Sequence, residues 1–214
     1  MTNLPHFTMA KSLVTEEGRL LFKQWLKSPM QIGTFASISL KLAHLTANQL
    51  EVNNNRTVIE IGAGTGRLTQ ALLAKGVNID KLAMVELDPK MCDFLKCSLQ
   101  SLYQEKTKFK IIQGNAERLP NLIPKTWVGK VDYVVSAIPL MCFEEAVRER
   151  IIQAALDVLN PVTGSIYHVT YSPVSPIRFM EGDILQKRVV SLWGNMPPGF
   201  VWKFTPKRYS HNFS

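Results

Sequence analysis

The feature that most constrains this chain is an apolar strand that runs straight into a glycine loop, Ile59-Glu60-Ile61-Gly62-Ala63-Gly64-Thr65-Gly66. Glycines at alternate positions let the backbone turn tightly and approach a ligand where a β-carbon would collide with it. The loop feeds a helix predicted to begin near Arg67. A dinucleotide-binding loop needs its third glycine at position 67, so that helix and strand can pack beneath a pyrophosphate, and Arg67 stands there instead. The pattern is G-x-G-x-G.

Glu86 ends a second apolar strand 20 residues beyond Gly66, where an acidic side chain can accept two hydrogen bonds from ribose hydroxyls. Glu60 is expected to make the mouth of the loop more acidic, which would repel a pyrophosphate and suits a ligand carrying a sulfonium and an amino group. After the third strand, Asn115 offers an acceptor oxygen for the exocyclic amine of an adenine. The plainer reading of Asn115 is a loop residue satisfying its own turn. The expected cofactor is S-adenosyl-L-methionine, held by Glu60, Gly62, Ala63, Gly64, Gly66, Glu86, Leu87, Asn115 and Ala116. An ordinary tight turn would account for the glycines alone, but not for the two acidic residues and the strand alternation around them.

From Thr57 to Tyr171 short β-rich runs alternate with helical patterns, the signature of a parallel sheet built from βαβ units. Strands are predicted over 57–61, 81–85, 109–113, 131–136 and 165–171, with helices over 67–75, 89–104 and 143–159. Two further β-rich runs, 187–193 and 200–205, flank a turn rich in Asn, Gly and Pro and read as an antiparallel pair on one edge. Upstream, 11–27 and 37–50 carry apolar residues at helical spacing. The expected architecture is α/β, a doubly wound, Rossmann-like and mostly parallel sheet with an antiparallel C-terminal hairpin and N-terminal helices. Residues 1–214 are expected to form a single domain, with a catalytic core over 55–214 and a helical extension over 1–50 that serves as membrane interface or lid.

A chain of 214 residues, 46% hydrophobic and 20% charged, can bury one sizeable core. No run approaches the roughly 20 apolar residues a membrane span needs, and Met1 to Leu13 lacks an apolar signal region, so a cytoplasmic protein is expected. The 3 cysteines, Cys92, Cys97 and Cys142, form no metal-ligand spacing with the histidines and read as buried small apolar side chains. No metal is expected. A net charge of +8 favours anionic partners, either nucleic acid or an anionic membrane.

The acceptor is expected over the end of the fourth strand, at Ser136-Ala137-Ile138-Pro139-Leu140. Enzymes that methylate base amines place an aromatic ring after a proline there, to stack on the base, and this chain has Leu140, which argues against a nucleic-acid substrate. At this point the chain resembles the bacterial phospholipid N-methyltransferases, class I S-adenosylmethionine-dependent enzymes that convert phosphatidylethanolamine to phosphatidylcholine. The resemblance rests on Phe22-Lys23-Gln24-Trp25-Leu26-Lys27-Ser28-Pro29 with Ile32-Gly33, the glycine loop, Val85-Glu86, Ser136 to Leu140, Thr170-Tyr171-Ser172-Pro173 with Ser175-Pro176, and Asn195-Met196-Pro197-Pro198 leading to Val201-Trp202-Lys203-Phe204. It implies an anionic membrane surface and phosphatidylethanolamine as partners, and a peripheral position on the inner face of the membrane. The chain departs from the family's pattern at Thr34 to Ser39 and at Asn115, where Asp is frequent.

The segment 11–27 combines an apolar set with Lys11, Arg19, Lys23 and Lys27, the mixture of a helix lying in a membrane interface; its rival is a helix packed on the sheet. A protonated amine has no lone pair, so a pocket must favour its neutral form, and Ser136, with Pro139 shaping the loop, is the candidate to orient it. Tyr171 is the first candidate for an aromatic face against bulkier methylated amines, followed by Trp25, Trp202 and Phe35. Strand alternation turns His168 to the face opposite Tyr171, which argues against a base there. The alternatives are an RNA adenine N6-dimethyltransferase and a binding protein that keeps the cofactor fold without turnover.

Overall fold

The computed structural model describes residues 38–103, 107–180 and 182–207. The expected helix over 11–27, with Trp25, lies outside the described residues, as does Phe35. The first described helix, α1 (Leu40–Ala47), is capped by Ser39, whose Oγ accepts from the Leu42 N–H at 3.2 Å.

Four strands form the centre of the sheet: β1 (Val58–Ile61), β2 (Leu82–Glu86), β4 (Tyr133–Ser136) and β5 (Ser165–Thr170). β1, β2 and β4 are buried along their whole length, as strands covered on both faces must be. β3 (Lys110–Gln113) lies on one edge, and the hairpin β6 (Ile184–Leu192) with β7 (Gly199–Pro206) lies on the other. The order is β3-β2-β1-β4-β5-β7-β6. All neighbours are parallel except β7, which runs antiparallel to both β5 and β6. The direction of winding reverses between β1 and β4, and ligands of open α/β sheets bind at the carboxyl ends of the strands flanking such a reversal.

Alternation along the strands divides the core. Val58, Met84, Val135, Tyr167 and Val169 face α1, α2 (Arg67–Ala74) and α3 (Pro89–Leu102) through Leu42, Leu68, Leu72, Leu95 and Leu99. Ile59, Ile61, Val134 and Ile166 face α4 (Leu119–Leu122) and α5 (Glu145–Val158) through Leu119, Ile151, Ile152 and Val158. Helix starts follow local chemistry: α3 has Pro89 in its first turn and Asp88 as cap, its Oδ1 accepting from Lys90 N–H at 2.8 Å.

Register places the hairpin turn. Ile61 pairs with Ser136, Ser136 with His168, Thr170 with Phe200, and Leu192 with Gly199. The turn between β6 and β7 therefore projects from the same end of the sheet as the glycine loop, the carboxyl end of the parallel strands. Among the described residues no helix is long and apolar enough to cross a membrane. The cysteines correct one expectation: Cys97 is exposed and Cys92 and Cys142 are only half-buried, because α3 turns Cys97 outward from the Leu95 and Leu99 face.

Candidate cofactor and acceptor site

The three loop glycines have φ of +74°, +51° and +81° at Gly62, Gly64 and Gly66, a region that costs other residues roughly 1–2 kcal/mol each. Their surroundings differ. A β-carbon on Gly62 would run into the Ile138 side chain, and one on Gly66 would sit 2.6 Å from Leu95 Cδ1. One on Gly64 would meet nothing nearer than the Gly62 carbonyl at 3.9 Å. The outer glycines close the loop against β4 and α3, and the middle one leaves open space for a ligand.

Glu86 ties the loop to β2. Its Oε2 accepts from Gly64 N–H at 2.9 Å, and its Oε1 accepts from Leu87 N–H at 2.8 Å and Asp88 N–H at 3.1 Å. A carboxylate has about four lone-pair sites, so with three taken one remains for a hydroxyl donor. Beside it Leu87 is 51% exposed, an apolar platform of the kind a flat ring covers. Ala63 is buried and Ala116 half-buried.

Glu60 lies elsewhere than expected. It is wholly buried inside β1, beneath the loop instead of at its mouth, because the strand turns it towards α2. Its Oε2 accepts from Thr69 Oγ1 at 2.6 Å, and its Oε1 has no partner. Burial, opposed by the Thr69 bond and reinforced by the charge of Glu86, pushes the carboxyl up to about 8. An orphaned buried acceptor under an open glycine loop fits a ligand that brings a cation or an N–H donor.

Asn115 satisfies its own turn. Its Oδ1 accepts from Glu117 N–H at 2.9 Å and its Nδ2 donates to Glu117 Oε1 at 3.1 Å, capping a single 3₁₀ turn. It is exposed at the end of β3, with one lone pair and one N–H left for a ligand.

On the acceptor side, Ser136 is buried at the end of β4, and its Oγ lies 3.4 Å from His168 Nδ1. Its hydroxyl thus faces the α5 side of the sheet. His168 is also buried, stacks on Phe204 with ring centroids 6.4 Å apart, and has no partner at Nε2. Burial holds its imidazole neutral, down to about 3. Pro139 opens a 3₁₀ turn over 140–142 and remains half-buried. Leu140 is buried to 1% exposure, so the residue directly after Pro139 presents no stacking surface. Tyr171 is half-buried just past β5, on the α2 side, with burial raising its phenol and Arg67 opposing.

The Ser136–His168 contact had no sequence signal, since the two are 32 residues apart and parallel register is set by packing. Thr69 could have been found, because a buried strand carboxylate needs a donor from the helix that follows it.

Residues 58–162 match the family model described as a methyltransferase domain. The chain is a class I S-adenosylmethionine-dependent methyltransferase. The methyltransferase is 26% identical over 180 residues, 84% of its chain and 91% of the relative's, to an ornithine lipid N-methyltransferase of Singulisphaera acidiphila. It is 28% identical over 165 residues, 75% of its chain but 57% of the relative's, to a probable ribosomal RNA small subunit methyltransferase A of Methanococcoides burtonii. Among solved structures TrmN of Thermus thermophilus superimposes with a TM-score of 0.62 at 15% identity, over 79% of this chain and 49% of that one. That likeness is one of fold. The methyltransferase uses S-adenosyl-L-methionine, and the glycine loop, Glu60, Glu86 and Leu87 fit it.

Proposed function

We propose that the methyltransferase methylates the amine of phosphatidylethanolamine headgroups, towards phosphatidylcholine, at an anionic membrane surface on the cytoplasmic side. The observation that carries this reading is the extent of the match to the relative named for a lipid amine, 91% of that chain, against 57% of the relative named for ribosomal RNA. The burial of Leu140 agrees with it, because a base amine would lack its stacking partner.

Bound S-adenosylmethionine supplies an electrophilic methyl group. In this reading Gly62, Ala63, Gly64 and Gly66 bring backbone against the cofactor, Glu60 receives its cationic end, and Glu86 receives the ribose. Leu87, Asn115 and Ala116 flank the adenine. The amine has a reference pKa of about 10 and must lose a proton before it can attack. In this reading the amine lies against the half-buried Pro139 and Tyr171, which favour its neutral form by withdrawing it from water. The backbone carbonyls that follow β4 orient the amine more directly than Ser136, whose hydroxyl is turned to His168. Tyr171 offers its ring to the more methylated, cationic products. Residues 55–214 carry this chemistry, with 1–50 at the membrane or over the site.

The test is incubation with labelled S-adenosylmethionine and vesicles of phosphatidylethanolamine, with ornithine-lipid vesicles and undermodified ribosomal RNA in parallel. Label in phosphatidylethanolamine supports the reading. Label confined to ornithine lipid or to RNA, or none at all, sinks it.

A further inference from the structure

The most exposed large apolar side chains of the described residues sit together in one turn. Met196 is 98% exposed and Trp193 67% exposed, both between β6 and β7. Pro197 is exposed beside them. The turn is built, not loose. Asn195 Nδ2 donates to the Pro197 carbonyl at 2.6 Å, and Asn195 N–H donates to the Leu192 carbonyl at 3.4 Å. Trp193 stands edge-on to Phe200 with centroids 5.3 Å apart, and Phe200 is buried. A soluble surface would cover or charge such a tip.

Charge is distributed the other way. From Val189 to Trp202 the chain carries no charged residue, while Lys187, Arg188 and Lys203 stand just outside that stretch on the paired strands. Arg188 lies four residues below the end of β6, roughly 13 Å at strand rise. An uncharged tip carrying Trp, Met and Pro above a basic collar matches the layering of a membrane, apolar first and anionic headgroups next.

The turn also points the right way. By register it leaves the carboxyl end of the parallel strands, the end that holds the glycine loop. Leu40 at the start of α1 is 59% exposed and Val174 past β5 is 42% exposed. Arg67 Nη1 donates to the Ile38 carbonyl at 3.1 Å, which fixes the start of α1 beside the start of α2 at this same end.

We propose that the β6–β7 turn, led by Trp193 and Met196, inserts into the lipid surface and sets the glycine-loop end of the sheet against the bilayer. The proposal rests on the lipid-acceptor reading for its purpose, and it assigns membrane contact to an element distant in sequence from the basic segment 11–27. Insertion brings the apolar side chains below the headgroups while Arg188, Lys187 and Lys203 meet anionic phosphates. The acceptor amine then reaches the site without the lipid leaving the bilayer.

The test uses the full chain with vesicles of phosphatidylglycerol, with and without phosphatidylethanolamine, and no cofactor. Trp193→Asp and Met196→Asp are each expected to weaken vesicle binding tenfold or more, with unchanged circular dichroism and S-adenosylhomocysteine affinity. Brominated acyl chains should quench the tryptophan fluorescence of a Trp25→Phe protein, and adding Trp193→Phe should remove most of that quenching. Transfer to a short-chain, monomeric phosphatidylethanolamine should stay at the wild-type rate in both Asp variants. Wild-type vesicle affinity in the Asp variants overturns the proposal, as does equal quenching once Trp193→Phe is added. So does a shift from oligomer to monomer in the Asp variants, which would make the turn an interface between copies. If the Asp variants detach from vesicles but the wild type labels no lipid, the acceptor reading fails and the insertion stands. If lipid is labelled and the variants bind as wild type, the insertion alone fails.

Discussion

The hydroxyl of Thr69 donates to Oε2 of Glu60 at 2.6 Å across the junction of β1 and α2, and the other oxygen of that carboxyl is buried without a partner. Its folded pKa of about 8 lies above the ordinary 4.5, so between these values the native state holds a proton that the unfolded chain has released. Stability from this group is complete below about 4.5 and is lost as pH rises towards 8, by at most about 1.4 kcal/mol per pH unit. Glu60→Gln should flatten that slope. Urea unfolding of both proteins at pH 5 and pH 8 checks it, and parallel pH dependences would contradict the assignment.

His168 carries the opposite sign. Burial depresses its pKa from 6.5 to about 3, so its contribution is present above 6.5 and is lost as pH falls through that window. His168→Phe removes the group that must be protonated on unfolding in acid. Its acid-unfolding midpoint should lie below that of the wild type, although Ser136 loses a neighbour. An unchanged midpoint would mean that other groups govern acid stability.

The glycines separate folding from binding. Gly66→Ala adds a β-carbon 2.6 Å from Leu95 Cδ1 at a φ of +81° and should destabilise the protein by more than the roughly 1–2 kcal/mol of the backbone term. Gly64→Ala meets open space and should cost only that backbone term, yet lower S-adenosylhomocysteine affinity tenfold or more. Calorimetry and thermal unfolding of the two variants give both numbers. Wild-type affinity in Gly64→Ala would place the cofactor elsewhere.

Tyr171 packs against the α2-side core but belongs to the proposed acceptor side. Tyr171→Ala should leave cofactor affinity within a factor of two or three and cut methyl transfer tenfold or more, while Tyr171→Phe keeps the ring and most of the rate. Equal losses in Ala and Phe would move the role from ring to hydroxyl.

Much of this architecture was legible because parallel strands and their helices leave periodic marks. The glycine loop and Glu86 were readable as a unit, and the structure joins them through the Gly64 to Glu86 bond. Strand ends moved by a residue or two, and β6 began at Ile184 instead of Lys187, since the bulge between Arg188 and Val190 disturbs its alternation. The short α4 escaped because four residues carry too little periodicity. The acidity of Glu60 suggests the mouth of the loop, but its place within a buried strand argues for an interior group needing a donor, which Thr69 supplies. Asn115 was ambiguous by nature, since an Asx turn and an adenine contact use the same oxygen. The direction of Ser136 depended on its register partner His168 on the neighbouring strand, which no local pattern records.

The central claim is that this chain methylates a lipid amine with S-adenosylmethionine, and mass spectrometry of phosphatidylethanolamine vesicles after incubation with the purified protein tests it most directly. The account predicts methylated phosphatidylethanolamine with the wild type and none with Gly64→Val, whose side chain fills the open face of the loop. Unmodified lipid after incubation with a wild-type protein that binds S-adenosylhomocysteine would contradict it.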